Sequence, residues 1–505
     1  MHTEPSQLTK KVEQDKTGNL PQNGKGSFVG NVSKLMGATA FGQVLGVISL
    51  PIITRLFSPD AFGLLGVYMA ITGILGVIVC MRYELTIVLP KEDNDAANLF
   101  WVSILFTVFW TVFSGLIILL FRDTLVTLMN APEIAPFLWL VPIGIFFGGV
   151  LTTLGHWNTR RAQFGRLAGV NMIGSVVTTG SKLGAGFGGF VSGGALILAS
   201  LAGTVTGSYI LGRKILREEG KYIFSNFSVP KMKTLMKKYS NISIFNSASS
   251  LFNSISQKAP LILLAYFFSP VIVGYYLLGH KLLKIPVNLI GNSVRKVYFQ
   301  RASNEWNKTG SLADLTLNTA TILSIISLFS MTLFISIIAP LTPVIFGGEW
   351  NVAGKYMQWI VLGVGLSFVC TPISSLTTIL LKENIDLYIQ IFSFFLRTLA
   401  LLVGGILIAD PFITVILYSI ASLIYYLIYL IWIFIASRAS ISAFLRDIKY
   451  MLLISFFTVI SSITLHYYNI SYIYISIIIV IYLIIYLFAV SRYMKNIGIT
   501  KINPN

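Results

Sequence analysis

SNISIFNSASSLFNSISQKAPLILLAYFFSPVIVGYYLLGHKLLKIPVNLIGNSVRKVYFQR, residues Ser240–Arg301, contains two apolar segments, each long enough to cross a bilayer, that meet at a Ser-Pro turn. Both carry polar residues at helical spacing. In the first, Asn246, Ser250, Asn253 and Gln257 share a face with Lys258 beside them; in the second, Lys281, Lys284, Asn288, Asn292 and Arg295 recur every three or four residues. A charge at the centre of a bilayer costs from about 2.5 kcal/mol to well over 10 kcal/mol. Such a stripe must therefore face a wet interior, and its sign is positive. The remainder of the chain reads as a frame around a cationic, water-filled path.

Composition agrees. Of 505 residues, 55% are hydrophobic and 11% charged, with mean hydropathy +0.78. Soluble domains carry about 25% charge, so an all-α polytopic membrane protein is expected. Residues 1–30 are polar, contain Lys10, Lys11, Lys16 and Lys25, and lack the apolar core of a signal peptide. They read as a flexible cytoplasmic tail. The net charge of +18 is explained by basic cytoplasmic loops and calls for no nucleic acid. Cys80 and Cys370 lie far apart in apolar segments, which gives neither a disulfide framework nor a metal site.

About 20 apolar residues span the hydrocarbon core. By that measure the chain holds about 14 transmembrane helices, near 34–56, 62–83, 98–120, 136–157, 169–190, 193–212, 241–267, 271–294, 315–345, 356–381, 385–408, 411–437, 449–467 and 471–491. Connections after even-numbered spans are basic: Lys91; Arg160, Arg161 and Arg166; Arg213, Lys214, Arg217 and Lys221; Lys382; Arg438, Arg446 and Lys449. Those after odd-numbered spans hold Arg55, Arg122 and Lys355. The asymmetry places both termini in the cytoplasm. The expected organisation is a tail at 1–32, a six-helix lobe at 33–213, a cytoplasmic linker at 214–240, a second six-helix lobe at 241–440, and an extra helix pair with a tail at 441–505. The linker has room for a short amphipathic helix on the membrane surface. No loop is long enough for a soluble catalytic module.

An internal repeat supports the two lobes. Phe57-Ser58-Pro59 with Gly63 matches Phe268-Ser269-Pro270 with Gly274, each in the turn between the first two spans of a six-span block. Pro suits the first turn of a helix, and Gly one turn later permits close helix packing. Because six is even, the blocks share an orientation, as in transporters whose substrate site lies between parallel repeats.

Further stripes lie in the fifth span (Asn171, Ser175, Thr178, Lys182) and the eleventh (Asp386, Gln390, Ser393, Arg397). Snorkelling to the headgroups is the competing reading for Lys281 and His280 and the preferred one for Arg295; for Arg82 the two readings are level. Lys182 and Lys258 sit deeper and read as cavity cations. Arg397 is too far along its helix from Asp386 for an ion pair and needs another partner or an anion. The Asn and Ser positions equally suit helix–helix hydrogen bonding, and Gly42 and Gly46 suit close helix approach. The deep ionisable set, Lys182, Lys258, Lys281, Lys284 and Arg397, faces few carboxylates. Uncompensated cations in a low-dielectric cavity favour an anion, and phosphate or diphosphate is the natural one.

Gly184-x-Gly186-x-x-Gly189 matches a dinucleotide fingerprint in letters only, since no strand precedes it. His2, His156, His280 and His466 do not cluster as metal ligands, no P-loop is present, and no cofactor is implied.

Ser33-Lys34-Leu35, Gln43, Pro51, Arg55, the Phe57-Ser58-Pro59 turn with Gly63, and Arg82-Tyr83-Glu84 followed by Ile87-Val88-Leu89-Pro90 resemble the Wzx-type flippases of the multidrug/oligosaccharidyl-lipid/polysaccharide exporter superfamily. The resemblance covers most of the chain in topology, with its sharpest residues in the first 90. It implies a non-enzymatic transporter of the bacterial plasma membrane that flips undecaprenyl-diphosphate-linked oligosaccharide to the outer leaflet by alternating access, for O-antigen, capsule or exopolysaccharide assembly. Its partners would be that lipid, the bilayer, and a polysaccharide polymerase and assembly proteins. Substrate contacts fall to Lys182, Lys258, Lys281, Lys284, Arg397 and Arg82, with Asn171, Asn246, Asn253, Gln257, Asn288 and Gln390 as polar lining. A drug/cation antiporter of the same fold would need deep carboxylates. A membrane glycosyltransferase or polymerase would need a large outer loop or paired catalytic residues.

Overall fold

The computed structural model describes residues 28–380, 382–467, 478, 480–488 and 490–491. Among them the chain is helical, without strands. Residues 1–27 of the expected tail at 1–32, and residues 471–477, 479 and 489 of the fourteenth span, lie outside the described residues; residues 28–32, expected as tail, instead begin the first helix.

In chain order the helices are α1 (Phe28–Ile48), α2 (Leu50–Leu56), α3 (Pro59–Ile78), α4 (Asp93–Leu128), α5 (Leu140–Arg160), α6 (Phe164–Phe187), α7 (Gly193–Ser225), α8 (Val229–Phe267), α9 (Pro270–Pro286), α10 (Asn292–Thr309), α11 (Ala313–Phe346), α12 (Asn351–Ile373), α13 (Leu376–Ile379), α14 (Glu383–Leu402), α15 (Pro411–Ser437) and α16 (Ile441–Tyr467). Eight helices among the described residues are long and apolar enough to cross a membrane. The number is nine if α1 from Gly37 and α2, bent by 41°, count as one span. Helix α4 shows why such helices suit lipid: Leu105, Phe109, Val112, Leu116 and Leu120 are all exposed on it, with no aqueous reason to be. Helices α6 and α8, which carry polar stripes, fall outside this set, as does the 17-residue α9, whereas α14 is within it in spite of its stripe.

The F-S-P repeat governs how the two halves meet. At the start of α3, Ser58 caps the helix, its hydroxyl accepting from the amide of Ala61 at 3.3 Å, and Pro59 occupies the first turn. Helix α9 starts on Pro270 after an extended Ser269. The two helices cross at their first turns. A methyl group built on Gly63 would lie 1.8 Å from the carbonyl oxygen of Pro270, and one on Gly274 would lie 1.9 Å from that of Pro59. Each glycine thus rests on the backbone of the other motif's proline, a reciprocal contact that only a residue without Cβ allows. A second parallel accompanies it: α1 packs on α6, and α8 on α14, helices that fall at the first and fifth spans of the two expected six-span blocks.

More contacts tie this end together. Arg55 donates to the carbonyl of Val344 at 2.7 Å, Trp350 Nε1 to that of Thr54 at 2.8 Å, and Asn130 to that of Phe268 at 3.0 Å. The ring of Phe62 meets Trp350 edge-on, 5.0 Å between centroids.

The opposite end differs from the expected linker. Residues 214–240 hold no separate surface helix. Helix α7 continues to Ser225, three residues turn, and α8 starts at Val229. The reason is apolar periodicity: Leu211, Ile215, Ile223, Met232, Leu235 and Tyr239 are buried in one cluster with Trp157 and Leu99. This segment belongs to the packing of the N-terminal half. Similarly, the expected end of the eighth span at 294 is an interior position. After Pro286, which has no amide to donate, the helix widens over Val287–Gly291 and continues as α10.

Basic residues gather at this end and find carboxylates. Arg160 and Arg161 share Asp93 at 2.8 and 2.7 Å, Arg161 also holds Glu219 at 2.6 Å, Arg166 pairs with Glu218 at 2.6 Å, and Lys231 with Asp95 at 2.7 Å. Arg122 and Lys355, read as loop charges, lie within α4 and α12.

Overpacking by one methyl group costs about 1–3 kcal/mol even where side chains yield, and backbone yields less. Gly63→Ala and Gly274→Ala are each expected to lower the melting temperature of the detergent-solubilised protein. Gly155→Ala, at a helical site with nothing within 4 Å, should leave it unchanged or raise it. Equal melting of all three variants would refute the reciprocal contact.

Candidate functional site: a lysine-lined cavity

Below the crossing of α3 and α9 the halves diverge around a cavity of about 940 Å³. Helices α1, α3, α6 and α7 supply one side, and α8 and α9 the other. Lys182, Lys258, Lys281 and Lys284 all line it, as do Asn171, Gln257 and Asn288. No Asp or Glu is among the lining residues. Seven of the twelve candidate residues are therefore brought together.

Local structure explains each position. Lys258 packs against Gly73 of α3, whose missing side chain makes room for it: a methyl there would sit 3.2 Å from Lys258 Cε. The Ser254 hydroxyl donates to the Gly73 carbonyl at 3.1 Å, fixing α8 against α3 at that level. Lys284 Nζ reaches the Ser367 hydroxyl at 3.4 Å and has no carboxylate partner among the described residues. On α6, Ser175 and Thr178 line the cavity and also receive neighbouring backbones. A methyl on Gly42 would meet Ser175 Oγ at 2.4 Å, and one on Gly203 would meet Thr178 Oγ1 at 1.9 Å. Gly42 thus works as a packing position, whereas Gly46 faces open space in the cavity wall. His280, in the same wall, stacks on Tyr276 at 5.6 Å.

Five candidate residues stand elsewhere. Arg82 has left-handed backbone (φ 58°) and pairs with Glu84 at 3.6 Å, away from the cavity lining. Asn246 is exposed and bonds its own helix. Asn253 accepts from Gln257 at 2.7 Å and orients that lining residue. Gln390 donates to Asp386, which also accepts from the Tyr429 hydroxyl at 2.8 Å; this trio joins α14 to α15. Arg397 is 7% exposed. Its partner is an aromatic cluster, with the rings of Tyr425, Tyr426 and Tyr418 centred 4.7, 5.4 and 5.9 Å from Cζ. Desolvated cation–π contacts of this kind stabilise a guanidinium by about 2 kcal/mol or more. The three tyrosines lie on α15, too far along the sequence for spacing to reveal. Gln43, which the sequence singled out only for the resemblance, and Thr72, Ser200 and Thr204, which sequence reasoning passed over, also line the cavity; each is an isolated polar residue in an apolar span.

Comparison with known proteins agrees with this architecture. A family model described as "Polysaccharide biosynthesis protein" matches residues 52–355. The lipopolysaccharide biosynthesis protein WzxC of Escherichia coli (strain K12) is 21% identical over 376 residues, covering 72% of each chain. The succinoglycan biosynthesis transport protein ExoT of Rhizobium meliloti (strain 1021) is 22% identical over 341 residues, 65% of this chain and 64% of that protein. Among solved structures, the lipid II flippase MurJ in an inward closed conformation superposes with TM-score 0.72 at 12% identity, covering 92% of this chain and 99% of that one. An inward-facing multidrug resistance MATE family transporter of the MOP superfamily gives 0.59 at 15% identity, covering 82% and 95%. At these identities the structures speak for the fold: a multi-pass helical membrane protein of the MurJ and MATE type.

A wet cavity makes a labelling prediction. Both native cysteines are buried, so the wild-type protein should resist a charged thiol reagent. Lys281→Cys and Asn171→Cys should each react in membrane vesicles of one orientation. Absence of labelling at both positions would mean that the cavity is dry.

Proposed function

The chain belongs to the polysaccharide biosynthesis protein family, and we propose that it is a Wzx-type flippase of the bacterial plasma membrane. On this reading it moves undecaprenyl-diphosphate-linked oligosaccharide from the cytoplasmic to the outer leaflet for O-antigen, capsule or exopolysaccharide assembly. The observation that carries the proposal is the cavity's charge: four lysines and no carboxylate on a wall of about 940 Å³. Empty, such a site is electrostatically strained. A diphosphate relieves it, and each Lys–phosphate hydrogen bond to a charged group is worth about 1.5–3 kcal/mol net. The polar hydroxyls and amides on α6 and α7 suit the sugar, and the isoprenoid tail remains in the bilayer.

Orientation follows from the basic end, which carries Arg160, Arg161, Arg166 and Lys231 and is assigned to the cytoplasm with both termini. The F-S-P end is then the outer one, closed by the α3–α9 crossing. The headgroup enters from the cytoplasmic side, is held by Lys281, Lys284, Lys258 and Lys182, and is released when the halves rock and the crossing parts. No bond in the substrate is made or broken. Polysaccharide polymerases and assembly proteins are the expected downstream partners. A drug/cation antiporter fits less well, since a cationic drug needs the carboxylates this wall lacks.

Loss of one lysine contact should weaken headgroup capture about tenfold or more, given the same energies. Lys258→Gln and Lys281→Gln are each expected to cut surface glycan by at least that factor at unchanged membrane level of the protein, while Lys→Arg at either site keeps part of the export. Normal glycan in both Gln variants would remove the basis of the proposal.

A further inference from the structure

Beside the main cavity, between α9, α12, α14 and α15, lies a second and much smaller pocket of about 30 Å³. Gln257, His280 and Lys284 form its boundary with the large cavity, and Arg397, Ser422 and Tyr426 line its inner part. No carboxylate lines it. Two of its polar groups are buried without partners: Arg397 Nε and Ser422 Oγ, on residues 7% and 6% exposed. Leaving a buried donor unsatisfied costs about 1–3 kcal/mol, and more when it is charged. Tyrosine faces stabilise the guanidinium from one side, yet a ring face does not accept the in-plane hydrogen bond of Nε as an anion or oxygen would.

We propose that this pocket is a binding site for one small monovalent anion of halide type, held by Arg397 Nε and the Ser422 hydroxyl and facing Lys284. Three properties favour it. The donors are all positive or hydroxylic, so they suit an acceptor-only ligand. The volume holds a particle of about one water's size and excludes a phosphoryl group, which separates the site from the large cavity. Tyr425, Tyr426 and Tyr418 lock the guanidinium in place, so little side-chain freedom is lost on binding. If the flippase reading also holds, the anion and the lipid headgroup share Lys284. Each then lowers the other's affinity, by the reciprocity of linked sites.

Bromide is the probe, because it needs no substrate. The purified full-length protein is titrated with bromide against gluconate at constant ionic strength, with melting temperature as readout, and wild-type crystals grown in bromide are searched for anomalous scattering. The expected result is a saturable rise in melting temperature and an anomalous peak beside Arg397. Ser422→Ala should raise the half-saturating bromide concentration about tenfold, Arg397→Gln should abolish the rise, and Lys281→Gln, in the large cavity alone, should leave the midpoint in place. A rise lost in Lys281→Gln but kept in Ser422→Ala would put the halide in the large cavity and overturn the site. So would a wild-type crystal with density for water only. Should Arg397→Gln not fold, Ser422→Ala and the anomalous map still decide. Failure of bromide binding leaves the glycan phenotypes of Lys258 and Lys281 untouched, so the two readings fall separately.

Discussion

The reciprocal contact between Gly63 and Pro270, and between Gly274 and Pro59, is the constraint on which the architecture depends. It brings two backbones, not two side chains, into van der Waals contact, at the first turn of α3 and of α9. Helices forced so close at one end, and separated by full side chains further along, must splay. The cavity is the space left by that splay, and its lining follows from which helices border the gap. The surrounding bonds, Trp350 to Thr54 and Arg55 to Val344, hold side chains around the crossing and reinforce it from α2 and α11. Each is a single hydrogen bond, worth about 1 kcal/mol for the neutral pair and about 1.5–3 kcal/mol where the donor is a guanidinium. A closure built from several weak bonds around one steric contact is the kind that can open as a unit, which a rigid apolar core would resist.

The cations divide into two populations by partner. Guanidiniums at the basic end meet carboxylates at 2.6–2.8 Å. None of the nine ion pairs among the described residues involves Lys182, Lys258, Lys281 or Lys284. The difference follows from what each side chain does well. An arginine fork pairs bidentately and fixes a loop. A lysine presents a compact, hydrated charge on a flexible stem, suited to a ligand that arrives, is held and leaves. Structural charge is neutralised within the protein, and cavity charge is left for solvent or ligand.

Much of this was legible in the sequence because lipid tolerates so little. A stripe such as Lys281, Lys284 and Asn288 must face either a wet interior or the headgroups, and all three line the cavity. The stripe-bearing spans α6, α8 and α9 are walls of the site for the same reason. The F-S-P repeat was legible as a coincidence of letters at matching places; its cause, a backbone crossing, appears only in three dimensions. What periodicity could not give was the partner across the helix. Asn246 has the spacing of Gln257 yet lies past the cavity's edge, since a straight stripe on a 39-residue helix outruns the space beside it. The segment 214–240 has the charge of a linker and the apolar period of two helices, and burial against Trp157 decided between them.

The repeat makes the fate of Arg397 intelligible. Helices α6 and α14 fall at the fifth spans of the two expected blocks, and both carry polar residues spaced by four, three and four. In the N-terminal half that face opens on the cavity and ends in Lys182. In the C-terminal half α15 lays three tyrosines over it, and the cation at its end is arginine. The choice of residue follows from the cover. A guanidinium is weakly hydrated and stacks on aromatic faces, so it survives burial without a carboxylate where an ammonium would lose its charge or its place. Two equivalent helices have thus been given different chemistry by what packs on them. One presents an exchangeable charge to a wide space, and the other keeps a fixed charge in a space for a single small ligand.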